Sequence, residues 1–347
     1  MMTILVTGAD GFIGSNFVKY TLQSQPNVHL ALVCSWRRGG AGDRLEHVLQ
    51  RTAAGSDRVT ILTHDLNAPF SHLLREKIGK MNVTTIVNFA AESHVDRSIE
   101  NPADVIQNNV MSTVNMLELA RGLSSLSAFF QISTDEVYGP AVNGYKHKEW
   151  DAIIPSNPYA ASKASQEAIA TSYWRTYGVP VIITNTMNNI GPMQSADKFL
   201  PMVIRKVIRG ETVGIHAVDG VVGSRFYLHA ENHADAIFKL INSASRFHSH
   251  EGSGLVSDRP TRVNVVGERE VDNLTFAKMI AKELGRELNY ELVDAHSSRP
   301  GHDLRYALDD SLMKDLGWLP PVDLEKAVYQ TVNWYKAFPQ WLNVYIE

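Results

Sequence analysis

Three glycines between the first apolar run and the first helical stretch constrain this chain most. Thr3–Val6 has the pattern of a short buried strand, and a helix is predicted over Ser15–Gln23. Glycine lets the backbone turn tightly and approach a pyrophosphate, which then rests on the N-terminus of the helix. Because the glycines stand between a first strand and a first helix, they predict a dinucleotide site. The predicted cofactor loop contains Gly8, Gly11, Phe12, Ile13 and Gly14.

Strand-like and helix-like stretches alternate after this turn, up to about residue 190. Such alternation is typical of the α/β class and predicts a Rossmann-type doubly wound parallel sheet. Beyond it, shorter elements predict a smaller α+β lobe that binds substrate. We assign residues 1–190 plus about 225–247 to the dinucleotide-binding domain, and about 191–224 plus 248–347 to the lobe. Further strands are predicted at His29–Val33, Val59–Leu62, Thr85–Phe89, Phe129–Ile132 and Val179–Thr184, and a helix from Ala103 to about Gly122.

The composition excludes several classes of protein. Of the 347 residues 44% are hydrophobic and 20% charged, which is ordinary for a globular protein. A formal net charge of -4 argues against a nucleic-acid surface. The single cysteine, Cys34, excludes an internal disulfide and fits a reducing compartment. No apolar run approaches the length of a membrane span, so we expect a cytoplasmic protein with no membrane partner.

No metal site is expected. His248 and His250 stand close together in Ser243–Pro260, a polar stretch that we predict to be a loop. This stretch lacks the set of acids or cysteines that would complete a metal site with two histidines.

Two arginines stand where the second predicted strand ends. A site for NAD usually has an acid here that holds the ribose hydroxyls of the adenosine, but the first acid in this chain is Asp43. Arg37 and Arg38 instead suit a ribose 2′-phosphate, because the guanidinium binds phosphate with two parallel hydrogen bonds. The alternative is that both are solvated loop charges. The cofactor is therefore predicted to be NAD(P)+, with NADP+ favoured over NAD+.

Other candidate cofactor contacts follow the third and fourth strands. Asp65 and Leu66 lie where the adenine edge is expected, and the small residues Ala90 and Ala91 would let the cofactor lie against the backbone. Asn109 is polar inside a predicted helix, which indicates a specific polar role.

The candidate catalytic stretch is Ser133–Gly139. It follows the buried strand Phe129–Ile132, at the edge where a doubly wound sheet opens its ligand crevice. Asp135 and Glu136 are adjacent, and neighbouring acids in a half-dry cleft have pKa values that separate, so that one stays protonated. Such a pair could both donate and remove a proton. The alternative is a solvated turn or a helix cap.

Tyr159 and Lys163 are four residues apart after Asn157-Pro158, a helix-start signal, so both should face the same way. A lysine ammonium beside a phenol lowers the pKa of the phenol and makes it a usable base near neutral pH. With 12 tyrosines in the chain, this spacing alone could arise by chance. A catalytic role is indicated because this spacing follows both a nucleotide-binding turn and an acid pair in the same chain.

These residues together resemble the extended short-chain dehydrogenase/reductase family and, within it, the nucleotide-sugar 4,6-dehydratases. The resemblance covers nearly the whole chain. The triplet Thr134-Asp135-Glu136 distinguishes the dehydratases from other members of the family, because sugar epimerases and decarboxylases on this scaffold lack the adjacent acid pair. The other matching segments are the glycine turn, Ala90–Ser98, Pro158–Ser165, Asn188–Pro192, Arg225 and Arg299–Tyr306.

The resemblance implies a role for each catalytic residue. Tyr159 takes the proton of the sugar 4-hydroxyl as hydride leaves C4, Thr134 hydrogen-bonds that oxygen, and Lys163 tunes the tyrosine and holds the cofactor ribose. Glu136 then removes the C5 proton, which the new 4-ketone has made acidic. Asp135 protonates the departing C6 hydroxyl. Return of hydride to C6 gives a 4-keto-6-deoxy sugar.

The resemblance also implies a nucleotide-sugar substrate, an NDP-hexose, with dTDP- or UDP-glucose favoured. Lys198 and Arg225 are candidates for a clamp on the diphosphate. The implied substrate contacts are Ser93, His94, Asn188, Asn189, Lys198, His216, Arg225, Arg299 and His302.

Three departures from the family limit what can be said of the nucleotide. Besides the missing acid after the second strand, His216 replaces an aromatic residue that usually holds the base. Phe226 and Asn232 stand where relatives have acids. The dTDP, UDP, GDP and CDP sugars therefore all stay open. An epimerase, a keto-sugar reductase or a non-catalytic nucleotide-binding protein are the alternatives.

A homodimer is expected through two helices per subunit. The helices that begin at Ala103 and Pro158 have small or apolar outer residues, among them Ala161, Ala164 and Ala168, which permit close helix packing. In relatives these two helices pair as a four-helix bundle.

Overall fold

A seven-stranded, all-parallel sheet forms the centre of the molecule. The computed structural model describes residues 2–36, 41–52, 57–142, 144–248, 258–294 and 304–343. The strand order is β12-β6-β5-β4-β1-β2-β3, so the order reverses between β1 and β4, where such sheets bind ligands. This confirms the Rossmann-type prediction. The strands are β1 Met2–Thr7, β2 Val28–Cys34, β3 Val59–Thr63, β4 Val83–Asn88, β5 Ala128–Thr134, β6 Val181–Thr186 and β12 Thr261–Val265.

The central strands are buried on both faces. Every residue of β5 is buried, and five of the six residues of β1 are. Parallel strands covered by helices on both sides give continuous apolar runs of this kind. The apolar runs in the sequence therefore located these strands, although most of them extend one or two residues further than predicted.

Helices cover both faces of the sheet. On one face α1 and α8 pack against strand residues such as Ile4 and Phe130, together with α2. On the other face Leu5 and Phe129 meet α5 and α6. The helices of this part are α1 Phe12–Ser24, α2 Ala41–Arg51, α3 His72–Gly79, α4 Val95–Glu100, α5 Pro102–Ala120, α6 Pro158–Tyr177 and α8 Ala230–His248.

A second apolar core lies outside the main sheet. It contains residues of α7, β8, α9 and the late helix α11, for example Ile204, Ile215, Phe276 and Val328. In the small sheet, β8 pairs in parallel with β14 and antiparallel with β9. These elements are β7 Asn189–Ile190, α7 Phe199–Arg209, β8 Val213–Val218, β9 Val221–Val222, β10 Ser224–Arg225, β11 Leu228–His229, β13 Val271–Asp272, α9 Asn273–Leu284, β14 Tyr290–Asp294, α10 Ser311–Asp315 and α11 Leu324–Ala337.

Three local features differ from the sequence predictions. The strand β12 lies in the range assigned to the lobe but pairs with β6 in the main sheet. The predicted loop from Ser243 is helical as far as His248, because the amphipathic pattern of α8 continues to that residue. The short helix α4, capped by the ring of His94, was not predicted.

Two further observations concern the described ranges. None of the helices they contain is long and apolar enough to cross a membrane. Within the same ranges, no cluster of three or more histidine, cysteine or acidic side chains could hold a metal ion.

Candidate active site

A cleft of about 1160 Å³ opens at the carboxyl ends of the central strands. It lies at the point where the strand order reverses, and one continuous wall joins the glycine turn, the acid pair and residues of the second core. The predicted residues that line it are Gly8, Gly11, Phe12, Ile13, Gly14, Asp65, Leu66, Ala90, Ala91, Ser93, His94, Thr134, Asp135, Glu136, Tyr159, Lys163, Asn188, Asn189, Lys198, His216 and Arg225.

The glycine turn has the shape that a pyrophosphate requires. Gly8 has a φ of +61°, in the left-handed region, and a Cβ on Gly14 would lie 2.1 Å from the Gly8 carbonyl oxygen. The helix α1 starts behind Gly11, which provides no side-chain cap, and its first turn contains no acid. Backbone N–H groups and the helix dipole therefore face any anion placed there. The residues fit a dinucleotide.

An acid of the glycine turn, which was not predicted from the sequence as a site residue, lies beside the end of β2. Asp10 lines the cleft, and its carboxylate accepts a hydrogen bond from the Trp36 backbone N–H at 3.4 Å. An acid inside the glycine turn was the available signal. Arg37 and Arg38 lie outside the described residues, so their predicted contact with the cofactor stays a prediction.

Asn109 lies behind the cleft, not in its wall. It is fully buried in α5. Its Oδ1 accepts from the Glu92 N–H at 2.6 Å, and its Nδ2 donates to the Glu92 carbonyl at 3.0 Å and to the Ser162 hydroxyl at 2.8 Å. Both polar atoms of the side chain are thus used to hold the loop after β4 against α6. In these contacts, the polar side chain of Asn109 holds two segments of the protein together.

The acid pair occupies a short 3-10 helix, Asp135–Tyr138, directly after β5. Both acids are buried. The Thr134 hydroxyl donates to Asp135 Oδ1 at 2.9 Å and accepts from the Glu136 N–H at 3.4 Å. Since β5 continues to Thr134, the strand itself fixes the residue that orients both acids.

The surroundings of the two acids differ. Asp135 Oδ2 has no hydrogen-bond partner among the described residues, whereas Glu136 Oε2 accepts from the Asn157 amide at 3.1 Å. Burial, and after it the neighbouring Glu136 carboxylate, raises the pKa of Asp135 to about 7. Asp135 therefore keeps its proton up to about pH 7.

Asn157 also starts the helix that supplies the phenol and the ammonium. Its Oδ1 accepts from the Ala160 N–H at 2.9 Å and caps α6. One side chain thus fixes both the first turn of α6 and the carboxylate of Glu136. Sequence reasoning treated Asn157 only as a helix-start signal.

Tyr159 and Lys163 both face the cleft, but the lysine does not act on the phenol as expected. Lys163 Nζ donates to the Ile132 carbonyl at 2.6 Å, and burial lowers the pKa of the ammonium to about 8. Burial, followed by Glu136 and Asp135, raises the pKa of Tyr159 above that of a free phenol. The prediction that Lys163 depresses this pKa is wrong for the protein alone, because desolvation and two nearby acids dominate.

Residues from both cores meet at the substrate end of the cleft. Arg225 is buried, donates to the Leu304 carbonyl at 2.6 Å and lies 4.7 Å from the ring centre of Tyr306. Across the cleft, His94 Nε2 lies 2.9 Å from Asp197 Oδ2. This pair joins loops about a hundred residues apart, and no local pattern signals it. Arg299 and His302 lie outside the described residues, and their predicted contacts stay predictions.

The fold and the cleft define a nucleotide-binding enzyme of the extended short-chain dehydrogenase/reductase type. Comparisons with known proteins narrow this further: the GDP-mannose 4,6 dehydratase family model matches residues 5–331, and the chain belongs to that family. This confirms the prediction of a nucleotide-sugar 4,6-dehydratase, a hydro-lyase.

The relatives span the whole chain. It is 34% identical to a low-salt glycan biosynthesis protein of Haloferax volcanii, over 96% of this chain and 98% of that one. It is 32% identical to a dTDP-glucose 4,6-dehydratase of Escherichia coli, over 98% and 95%. The crystal structure of dTDP-glucose 4,6-dehydratase from Bacillus anthracis with NAD matches with a TM-score of 0.82, 31% identity and 99% coverage of both chains.

The raised pKa of Asp135 makes a prediction about stability. In the unfolded chain this carboxyl ionises near pH 4, and in the folded protein it ionises only near 7, so folding is penalised increasingly as pH rises between these values. Asp135→Asn removes the penalty. Relative to the native protein, its free energy of unfolding should therefore increase by about 2–3 kcal/mol between pH 5 and pH 8.5, as measured by urea denaturation.

Asp272→Asn is the matched control. Burial acts to raise the pKa of Asp272, but hydrogen bonds from Thr275 and the neighbouring backbone outweigh it, so the net pKa lies below its usual value. Asp272 is then ionised at both pH values, and its variant should show no such increase. An Asp135→Asn difference that stays constant with pH would contradict the assignment of Asp135 as the protonated acid.

Proposed function

We propose that this enzyme converts an NDP-hexose, dTDP- or UDP-glucose by preference, to the NDP-4-keto-6-deoxy sugar with NAD(P)+ as cofactor. The observation that carries the proposal is the buried acid pair, in which the pKa of Asp135 is raised to about 7, beside Thr134 and Tyr159 in a cleft that the glycine turn also lines. Lys198 and Arg225, both in the wall of the same cleft, supply cations for a diphosphate. The relatives that carry the dTDP-glucose dehydratase name support the choice of glucose nucleotides.

The residues act in a fixed chemical order. When bound, the nicotinamide cofactor accepts hydride from C4 of the sugar and returns it to C6. Tyr159 removes the proton of the 4-hydroxyl while Thr134 hydrogen-bonds the same oxygen. Glu136 removes the proton at C5, and Asp135 gives its proton to the C6 hydroxyl, which leaves as water. Glu136 then returns its proton to C5, and the proton that Tyr159 took from the 4-hydroxyl replaces the one that Asp135 gave up, so that the net change is the loss of one water.

The two acids have opposite tasks, and their surroundings suit them. Asp135 must hold a proton, and burial beside Glu136 favours its protonated form near pH 7. Glu136 must be an anion that accepts one, and the Asn157 amide donates to it. A protonated Asp135 also takes one negative charge away from Tyr159, which eases loss of the phenol proton.

The alternatives use fewer of these groups. An epimerase or a keto-sugar reductase oxidises or reduces at one carbon and needs the tyrosine without an adjacent acid pair. A non-catalytic binding protein would gain nothing from a protonated buried aspartate that lowers stability. Neither alternative accounts for Asp135.

The division of tasks predicts different defects in two isosteric variants. Glu136→Gln keeps shape but cannot accept a proton, so C4 oxidation should survive while elimination slows by about 10²–10⁴-fold. Reduced cofactor and a 4-keto, still 6-hydroxylated sugar should accumulate, and exchange of the C5 hydrogen with deuterated solvent should nearly vanish. Asp135→Asn should slow loss of water yet keep C5 exchange. Nicotinamide absorbance and mass spectrometry report both.

Tyr159→Phe serves as the control, because it should block oxidation itself and give neither reduced cofactor nor exchange. The roles are misassigned if both acid variants exchange C5 equally well. They are also misassigned if turnover is lost with no reduced cofactor in either.

We infer that NADP+ is preferred over NAD+. Arg37 and Arg38 directly follow the end of β2 in sequence, where the adenosine ribose lies in this fold. Each arginine–phosphate contact contributes on the order of 1.5–3 kcal/mol. Asp10, whose carboxylate lies at the end of β2, works against a 2′-phosphate by repulsion.

The double variant Arg37→Ala with Arg38→Ala should accordingly weaken NADP binding by about tenfold or more and leave NAD binding nearly unchanged. Asp10→Asn should do the reverse and strengthen NADP binding selectively. Fluorescence titration with the reduced cofactors measures all six constants, two for each of the three proteins. Tighter binding of NADH than NADPH by the native protein would overturn the inference.

We also propose a homodimer through α5 and α6. These two helices pack against each other, and their outer faces leave Ile106 and Met111 more than a third exposed, with the small Ala168 exposed beside them. Burial of such a face stabilises association by roughly 25 cal/mol per Å² of apolar surface, before the costs of association.

Sedimentation at micromolar concentration should give a dimer, and Met111→Glu should give a folded monomer. Tyr329→Glu is the matched control, since it places the same charge on an exposed apolar position of α11. A native protein that sediments as a monomer contradicts the proposal, and so does dissociation by Tyr329→Glu alone.

A further inference from the structure

A buried ion pair lies behind the cleft, one helical turn beyond Lys163. Glu167 in α6 and Arg262 in β12 are each less than 5% exposed. Arg262 Nη2 donates to Glu167 Oε2 at 2.6 Å, and the Asn185 amide donates to Oε1 at 2.7 Å. Both carboxylate oxygens therefore receive a donor, which fixes the orientation of the carboxylate. Burial raises the pKa of Glu167, and the Arg262 charge and these hydrogen bonds oppose that rise.

Arg262 is itself fixed by the loop that follows the acid pair. Its Nη1 donates to the Glu149 carbonyl at 3.0 Å, and its guanidinium lies 4.2 Å from the ring centre of Trp150. Neither Arg262 nor Glu167 lines the cleft. A pair of charges so deeply buried costs much free energy of desolvation and seldom stabilises a fold more than apolar residues would. We therefore expect the Glu167–Arg262 ion pair to have a functional role in addition to packing.

Lys163 needs an anion at this position. Burial favours loss of its proton, and the Glu167 carboxylate opposes this. Of the other ionisable side chains around it, Asp135 is neutral below about pH 7, Tyr159 is a neutral phenol, and Arg262 is a cation on the far side of Glu167. Glu136 is engaged with Asn157 in front of α6. Glu167 is thus the anion that opposes the effect of burial on the pKa of Lys163, from the side of α6 away from the cleft.

We propose that Glu167, held by Arg262, is a positioning residue that keeps Lys163 protonated and aimed into the cleft. The inference rests on the proposed function, which assigns Lys163 to the cofactor ribose. Its chemistry is simple: a lysine that must donate hydrogen bonds to ribose hydroxyls loses that capacity when its proton leaves. The carboxylate extends the pH range over which the site binds cofactor.

The test is cofactor affinity as a function of pH, measured by fluorescence with NADPH and NADH between pH 6 and 9.5. In Glu167→Gln the decline of affinity at high pH should begin at least about one pH unit lower than in the native protein. The variant should match the native protein at pH 6 and bind about tenfold more weakly at pH 8. Glu167→Asp keeps the charge and should restore most of the native profile.

Glu149→Gln is the matched control. It makes the same change on the other side of Arg262, where only the backbone carbonyl of Glu149 meets the guanidinium. Its profile should equal the native one. If Glu167→Gln does not fold, the double variant Glu167→Gln with Arg262→Met removes both charges and should keep the lowered profile.

Two outcomes would overturn the inference. One is equal weakening by Glu167→Gln at every pH, which indicates a structural role only. The other is an unchanged profile in a folded variant. Because the readout is binding, it is independent of turnover: a native enzyme that shows the pH decline yet converts no nucleotide sugar refutes the proposed function and leaves this inference standing.

Discussion

The cost of burying charge organises this active site. An acid pair, a phenol and an ammonium are all buried at the end of β5 and the start of α6. Water would screen the interactions between these groups, whereas in a dry cleft the protonation state of each group depends on its charged neighbours. Asp135 keeps its proton up to about pH 7 because it is buried and, after that, because the Glu136 carboxylate lies beside it. The protonation pattern is therefore a property of the whole group.

Two polar side chains give this group its geometry. Thr134 ends the strand and binds both acids, and Asn157 begins the helix and binds Glu136. Each is fixed by backbone structure: Thr134 belongs to a fully buried strand, and Asn157 caps α6. A strand end and a helix start thus hold the acids from opposite sides. Sites built on regular elements in this way are more rigid than sites built on loops.

The sequence predicted the fold and much of the cleft because those signals are local. A glycine turn, apolar runs and a Tyr-x-x-x-Lys spacing can each be read within a short window, and parallel strands bring their carboxyl ends to one edge. Contacts between distant residues leave no such signal. His94 with Asp197 and Glu167 with Arg262 join segments about a hundred residues apart. The direction of the Lys163 ammonium, toward a backbone carbonyl, depends on packing that no spacing encodes.

The strand β12 is the last strand of the main sheet in sequence, and it contains Arg262, the partner of Glu167. During synthesis, β6 is an open edge of the sheet until Thr261–Val265 leaves the ribosome, and Glu167 is a carboxylate without its arginine. The nucleotide-binding half thus cannot reach its final electrostatic state on its own, although its glycine turn, its first six strands and its acid pair have all been made. A nascent chain that has not yet received Arg262 would present an open strand edge of the kind that chaperones cover. The same strand that places this guanidinium beside Glu167 also completes the sheet.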